Sequence, residues 1–362
     1  MAIEFGVNQS SIHCHTWKEM NMFSLTTTHL RFVCEATTPL RLEADIFRAG
    51  SNLRGALGQV MLRSYCAHPH QDPKGSLARA AGQDERGENL WGLCPVHWLL
   101  AANEKPGEER RGYALVPPLP NDGAECLNRG DAFEFGITLF GSARKFLPYF
   151  ILAAPEMGRA GIGPGRGKFE LKRVWALNPL TGESEILFGD SGNLVRAPTV
   201  GVNHEMVMRN AECRMRNRET GDWRLEIDFL TPTRLIEADR LAQAPEFAVL
   251  FARLLKRLDD LNEQFGDGSR RGGEAAMALQ RVAEQVRLAE SHTRWVEVWS
   301  GSTRRGQSSP LSGIVGFGRY EAAVEVWREL LPWLLWGELA QVGKAAVKGN
   351  GVMRIKDEEV IG

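Results

Sequence analysis

The 362-residue sequence predicts an α+β fold in which one β-α-β-β-α-β order occurs twice in tandem. Three observations predict it. Runs that alternate apolar and polar residues are interleaved with stretches of helical spacing, in the same order in each half. Each half closes its last helix on a glycine-rich, basic loop, GRAGIGPGRGKFEL in the first and QVGKAAVKGNGVMRI in the second. A content of 43% hydrophobic and 25% charged residues suffices for two cores of ordinary size.

Residues 1–21 are polar with neither period and are expected to form a loose extension. A first domain is placed at residues 22–200. TTHLRFVCEATT alternates and is rich in β-branched and aromatic residues, which marks a strand. SNLRGALGQVMLRSYC then spaces Leu53, Leu57, Val60 and Met61 along one side of an amphipathic helix, Ser51 to Tyr65. Gly, Pro and dense charge over residues 67–112 predict an exposed insertion. RGYALVPP and AFEFGITLFG read as strands, ARKFLPYFILAAPEMG as a helix and GKFELKRVWAL as a strand.

Residues 192–217 are read as a bridge to a second domain at 218–362. That domain opens with the strand WRLEIDFLTP. The helix PEFAVLFARLLKRLDDLNEQFG follows, with Pro245 at its start, Gly266 as its stop, and an apolar stripe of Phe247, Leu250, Phe251, Leu254, Leu258 and Leu261. A further helix from Glu274 to Glu290, a hairpin of TRWVEVWS and SGIVGFGRYE, a helix around Tyr320 to Trp336 and the strand GVMRIK complete it.

The composition excludes several classes of function. A formal net charge of −1 gives no global attraction to polyanions, so nucleic-acid binding has to come from local patches. Arg159, Arg166, Lys168, Lys172 and Arg173 surround the first glycine-rich loop against Glu170 alone, and Lys344, Lys348, Arg354 and Lys356 surround the second ahead of Asp357. Six cysteines without a CxxC pair argue against redox chemistry and a disulfide framework. No run of about 18 apolar residues supports a membrane span, and the N-terminus lacks a secretion signal, so a cytoplasmic location is expected. The second loop is not a Walker A motif. Five residues rather than four separate Gly337 from Gly343, and Ala345 stands where a magnesium-binding Ser or Thr is required. Its glycines and lysines still suit phosphate, since glycines let backbone N–H groups approach the oxygens and lysines neutralise them.

QVGKAAVKGNGVMRI resembles the C-terminal glycine-rich signature of RAMP proteins, and specifically of the Cas-six family of CRISPR precursor-RNA-processing endoribonucleases. The resemblance runs from about Phe23 to Ile355. FRAGSNLRGALG, an insertion with Cys66 and Cys94, LFGSARKFLPYFILAAPEMGRAGIGPGRGKFEL, LEIDFLTPTRL, LDDLNEQFG and WVEVWSGSTRRGQSSPLSGIVGFGRY agree with it in order and spacing. Gln341 and Lys348 depart from it, standing where a His and an aromatic residue are expected, and STRRGQ is a loosened form of an RYSxRQ-like stretch.

The resemblance implies two tandem ferredoxin-like, RNA-recognition-like domains that hold CRISPR repeat RNA across their cleft and against the basic loops. It also implies other Cas proteins of an effector complex as partners. Candidate RNA-binding residues are Arg166, Lys168, Gly343, Lys344, Lys348, Gly349 and Gly351 in the loops, and Arg304, Arg305 and Gln307 in the hairpin turn. Cleavage in the family is metal-independent, with the ribose 2′-OH as nucleophile and a 2′,3′-cyclic phosphate and a 5′-OH as products, and no cofactor is expected. Such chemistry needs a base, an acid and a cation for the charge that builds on phosphate.

The family carries its catalytic histidine in or just after the first helix. Here that helix has none, and His68, His70 and His97 follow it, so these three are the candidates, with Arg54 as phosphate cation and Tyr65 as a weaker accessory. Two alternatives use the same features. Cys66, His68, His70, Cys94 and His97 carry the ligand types of a structural zinc site. The histidine-free helix also suits a RAMP RNA-binding subunit that has lost its catalytic base.

Overall fold

The computed structural model describes residues 23–41, 46–66, 94–101, 111–119, 126–189, 195–218, 220–237, 240–302 and 307–358. The N-terminal extension, His68, His70, Arg304 and Arg305 lie outside the described residues.

The first sheet contains β1 (Thr27–Ala36), β2 (Tyr113–Val116), β3 (Ala132–Phe140), β4 (Phe169–Leu177) and β5 (Ser184–Phe188) in the order β2-β3-β1-β4-β5, with every pairing antiparallel. Helices α1 (Ala49–Ser64) and α3 (Leu147–Ala160) cover one face, and between them in the chain lies the short helix α2 (Pro95–Ala101). Alternation along β1 makes the two faces. Leu30, Phe32, Cys34 and Ala36 are buried under the helices, while Arg31 and Glu35 point the other way.

The second sheet has the order β7-β10-β6-β11, from β6 (Asp222–Thr233), β7 (Arg287–Val296), β10 (Gly313–Ala323) and β11 (Met353–Glu358). Beyond β7 and before β10 the chain makes a small hairpin of β8 (Trp299–Ser302) and β9 (Gln307–Pro310). Both large sheets therefore place the first strand of the repeat between its third and fourth, the ferredoxin-like arrangement. α5 (Phe247–Phe265) buries the predicted stripe against α7 (Val324–Ala340) and Trp223, Leu225, Ile227 and Phe229 of β6. No helix among the described residues is long and apolar enough to cross a membrane.

Three expectations are corrected. The helix expected over Glu274 to Glu290 stops early, as α6 (Gly273–Ala283), because residues from Arg287 join the edge of the second sheet by pairing with β10. The last helix starts at Val324 rather than near Tyr320, since Tyr320 is in β10 with its hydroxyl donating to the Pro245 carbonyl. The bridge contains a helix, α4 (His204–Met215), capped by Asn203 and packed on α7 through Val207, Ala211 and Met215.

Core and polar contacts join the two halves. Gly141 allows the start of a 3-10 turn to lie against the carbonyl of Phe265, where a Cβ would collide. Gln341 Nε2 donates to the Leu115 carbonyl at 2.9 Å. A cleft of about 820 Å³ remains between the open face of the first sheet and the β11 side of the second, lined by Arg31, Glu134, Thr138, Gln341 and Arg354 among others. His29, at its floor, hydrogen-bonds Thr27 Oγ1 and Thr138 Oγ1, and burial pulls its pKa down to about 4. It is therefore neutral at pH 7 and serves as a structural node.

Candidate nucleic-acid interface

The start of α1 is where both glycine-rich loops meet. The second loop runs from Gln341 to Gly351 and is closed by the Val342 N–H donating to the Gly351 carbonyl at 2.9 Å. Gly351 has φ +79°, and a Cβ there would collide with the Val342 carbonyl, so this closure requires glycine. The loop then lies backbone-first on α1. A Cβ on Gly50 would collide with the carbonyl oxygen of Lys348, and one on Gly349 would come within 2.8 Å of Pro117.

Three cations converge at this junction. Arg54 lies one helical turn beyond Gly50 on α1, Lys348 projects from the loop, and Arg111 precedes β2 and donates to the Leu100 carbonyl of α2. Arg54 Nε is buried and without a hydrogen-bond partner. Lys348 is half-buried, and burial first, then Arg54 and Arg111, push its pKa down to about 8. Cations gathered in partial burial disfavour one another, and an anion seated among them removes that penalty. Lys344, by contrast, is exposed at the loop's outer edge.

The first loop reaches the other side of the same helix turn. Gly163 lies close enough that its Cβ would be 2.6 Å from the Arg41 carbonyl and 3.7 Å from Asn52 Nδ2, a buried donor without a partner. Arg166, at φ +51°, and Lys168 are exposed beside it. Not every basic residue near the loops is available. Lys172 is held by Glu170 at 2.7 Å and Glu35 at 3.3 Å, and Lys356 by Asp228 at 2.8 Å and Glu226 at 3.1 Å.

The hairpin completes the rim. Arg48, just before α1, donates to the Trp299 carbonyl at 2.8 Å, while Phe47 and Ala345 pack on Val296, Val298, Leu311 and Val315. Gln307 opens β9.

Of the proton-transfer candidates, His97 lies on α2, one turn before the Leu100 carbonyl that Arg111 engages. Tyr65 is at the far end of α1, roughly 16 Å along the helix from Arg54. Its hydroxyl donates to the Leu152 carbonyl at 3.0 Å, so it is not brought to the cation cluster. Cys66, just before the insertion, and Cys94, within it, face each other with sulfurs 3.8 Å apart. Among the described residues no three His, Cys, Asp or Glu side chains are grouped to hold a metal, and His68 and His70 lie outside them. Arg111 and Asn52 were not singled out by the sequence. Arg111 sits in the charged run EERRG, where nothing local separates it from its solvated neighbours.

The comparisons with known proteins agree with this architecture. Residues 227–353 match the family model of the CRISPR-associated endoribonuclease Cas6, and residues 25–200 match a second model, described as an N-terminal domain. The fold is similar to Cas6 of Thermus thermophilus, at 15% identity and TM-score 0.51 over 92% of this chain and 99% of that one. A Cas6 product complex is similar at 14% identity and TM-score 0.52, over 91% of this chain and all of the other. A partial Cas6-RT-Cas1–Cas2 complex gives 11% identity and TM-score 0.58, with 93% of this chain and 47% of the longer one covered. No curated protein matches the sequence. The match to Cas6, a family of CRISPR-associated endoribonucleases, thus lies in the second ferredoxin-like domain, and the likeness of the whole chain to the Cas6 structures is one of fold.

Proposed function

We propose that this chain cuts CRISPR precursor RNA within its repeats without a metal, by attack of the ribose 2′-OH on the adjacent phosphate. The junction of Arg54, Arg111 and Lys348 carries the reading. It gathers three cations, one with an unpartnered buried N–H, where the two glycine-rich loops flank one helix turn. A phosphodiester seated there receives positive charge where negative charge develops on its non-bridging oxygens. His68, His70 and His97 are the candidate bases for the 2′ proton, and the exposed Arg166, Lys168 and Lys344 extend the phosphate track. Arg304, Arg305 and Gln307 of the hairpin sequence are the candidates for gripping the RNA beyond this track.

Repeat RNA is the proposed partner, together with other Cas proteins. One similar structure is a Cas6 product complex and another places Cas6 with Cas1 and Cas2. End analysis tests the chemistry. The cognate repeat should yield a 5′-OH and a 2′,3′-cyclic phosphate, and 5′-phosphate products would overturn the mechanism.

The second reading, a non-cutting RNA-binding subunit, is favoured by the absence of histidine in α1. It predicts tight binding of the same RNA and no products.

Binding and cutting rest on different lysines of the loop. Lys344→Ala should weaken binding to any repeat-like RNA about equally and lower the slope of log Kd against log salt by about one contact, roughly 0.7 to 0.9. An unchanged slope in a salt titration would leave Lys344 outside the phosphate track.

A further inference from the structure

We propose that Lys348 is a catalytic residue of this site, the acid that protonates the 5′ oxygen as it leaves the cleaved phosphate. The assignment rests on the nuclease reading above and goes beyond it by giving a proton-transfer role to a loop lysine that sequence reading placed among phosphate contacts.

Geometry distinguishes Lys348 from the other basic residues. It ends the 3-10 turn Ala346–Lys348, which stands between Ala345 at φ +67° and Gly349 at φ +84°. The backbone of that turn is fixed from two sides, by Gly50 of α1 and by Pro117 after β2. The side chain therefore starts from a rigid base rather than a loose loop. Among the described residues, Arg54 from α1 and Arg111 from the segment ahead of β2 act on its charge, with Lys344 further out on its own loop.

A guanidinium can hold a phosphate but is no proton donor to a leaving group. Lys348 can be one. Burial and the two guanidiniums take its pKa from 10.5 to about 8, a roughly 300-fold gain in acidity. At pH 7 it is still mostly ammonium, and a bound phosphodiester, being negative, favours that form. Losing the proton relieves repulsion within the cluster, and the incipient 5′ alkoxide is the group that needs it.

The step balances. The 2′ oxygen bonds to phosphorus and its proton passes to a separate base, water in the simplest case. The bond from phosphorus to the 5′ oxygen breaks, its electron pair stays on that oxygen, and the oxygen takes the proton from Lys348 Nζ. The neutral amine is then reprotonated from solvent. The products are the cyclic phosphate and the 5′-OH.

The test compares wild type, Lys348→Arg and Lys348→Ala in single-turnover cleavage of two repeat RNAs. One RNA is all-oxygen, and the other carries sulfur in place of the 5′ bridging oxygen at the cut site. A thiolate leaves without an acid. On the oxygen substrate Lys348→Arg should bind within about twofold of wild type and cut roughly 10²- to 10⁴-fold more slowly. On the sulfur substrate both variants should recover to within about tenfold of wild type. The wild-type rate on the oxygen substrate should also fall at a pH above about 8, since the bound phosphate helps Lys348 keep its proton, and Lys348→Arg should lack that fall, because a guanidinium does not deprotonate in this range. Equal defects on both substrates would overturn the acid role and leave Lys348 as a phosphate ligand. Failure of wild type to cut either RNA would remove the nuclease reading itself, and this assignment with it.

Discussion

A repeat RNA with a 2′-deoxy sugar at the cut site is expected to bind normally and remain uncut, while EDTA leaves cleavage of the all-ribose RNA unchanged. Both follow from where the nucleophile and the positive charge come from. On the proposed mechanism the nucleophile is a hydroxyl of the RNA, four bonds from the phosphorus it attacks, so it is already held near its target without a bound water being activated. Removing it removes the reaction, not a contribution to it. In the proposed site the charge accumulating on phosphate faces Arg54, Arg111 and Lys348, and burial first, then the two guanidiniums, depress the Lys348 pKa. Binding should change little, because the missing hydroxyl leaves the phosphates and their cation contacts in place. A gel-shift titration and a denaturing gel on the same samples separate the two quantities. Cleavage that stops in EDTA and returns with magnesium would sink this mechanism, as would cutting of the 2′-deoxy substrate.

The sequence displays the fold where burial is one-sided and local. β1 and β6 alternate cleanly because one face lies under helices, and α5 carries its stripe on one side for its whole length. α4 escapes that reading because its buried residues, His204, Val207, Ala211 and Met215, are few and separated by Glu205, Arg209 and Arg214. What makes it a helix is the surface of α7, more than a hundred residues later in the chain. β7 is an edge strand whose residues are mostly exposed, so period two is faint, and only its pairing with β10 specifies it. The site shows the same division. Arg54 and Lys348 stand out by residue type beside a helix start and a glycine-rich loop. Arg111 joins them through backbone contacts among α1, β2 and the second loop, which no local pattern encodes.

Those contacts give the last prediction. Gly50→Ala should lower single-turnover cleavage about 10²-fold while changing the melting temperature little, and Gly55→Ala, five residues further along the same helix, should leave cleavage intact and raise stability. The two glycines differ in what a methyl group would meet. At Gly50 it meets the backbone carbonyl of Lys348 and, at 3.2 Å, the Cα of Gly349, neither of which can swing aside as a side chain would. The loop has to lift from α1, carrying Lys348 away from Arg54, and a displacement near 1 Å in a site of this kind costs about two orders of magnitude in rate. At Gly55 nothing lies within 4 Å, so alanine brings only its better helix propensity, about 1 kcal/mol. Thermal unfolding reports stability and single-turnover kinetics report the site. If Gly50→Ala cuts as fast as wild type while remaining folded, the close seat of the loop on α1 is not what aligns the cations.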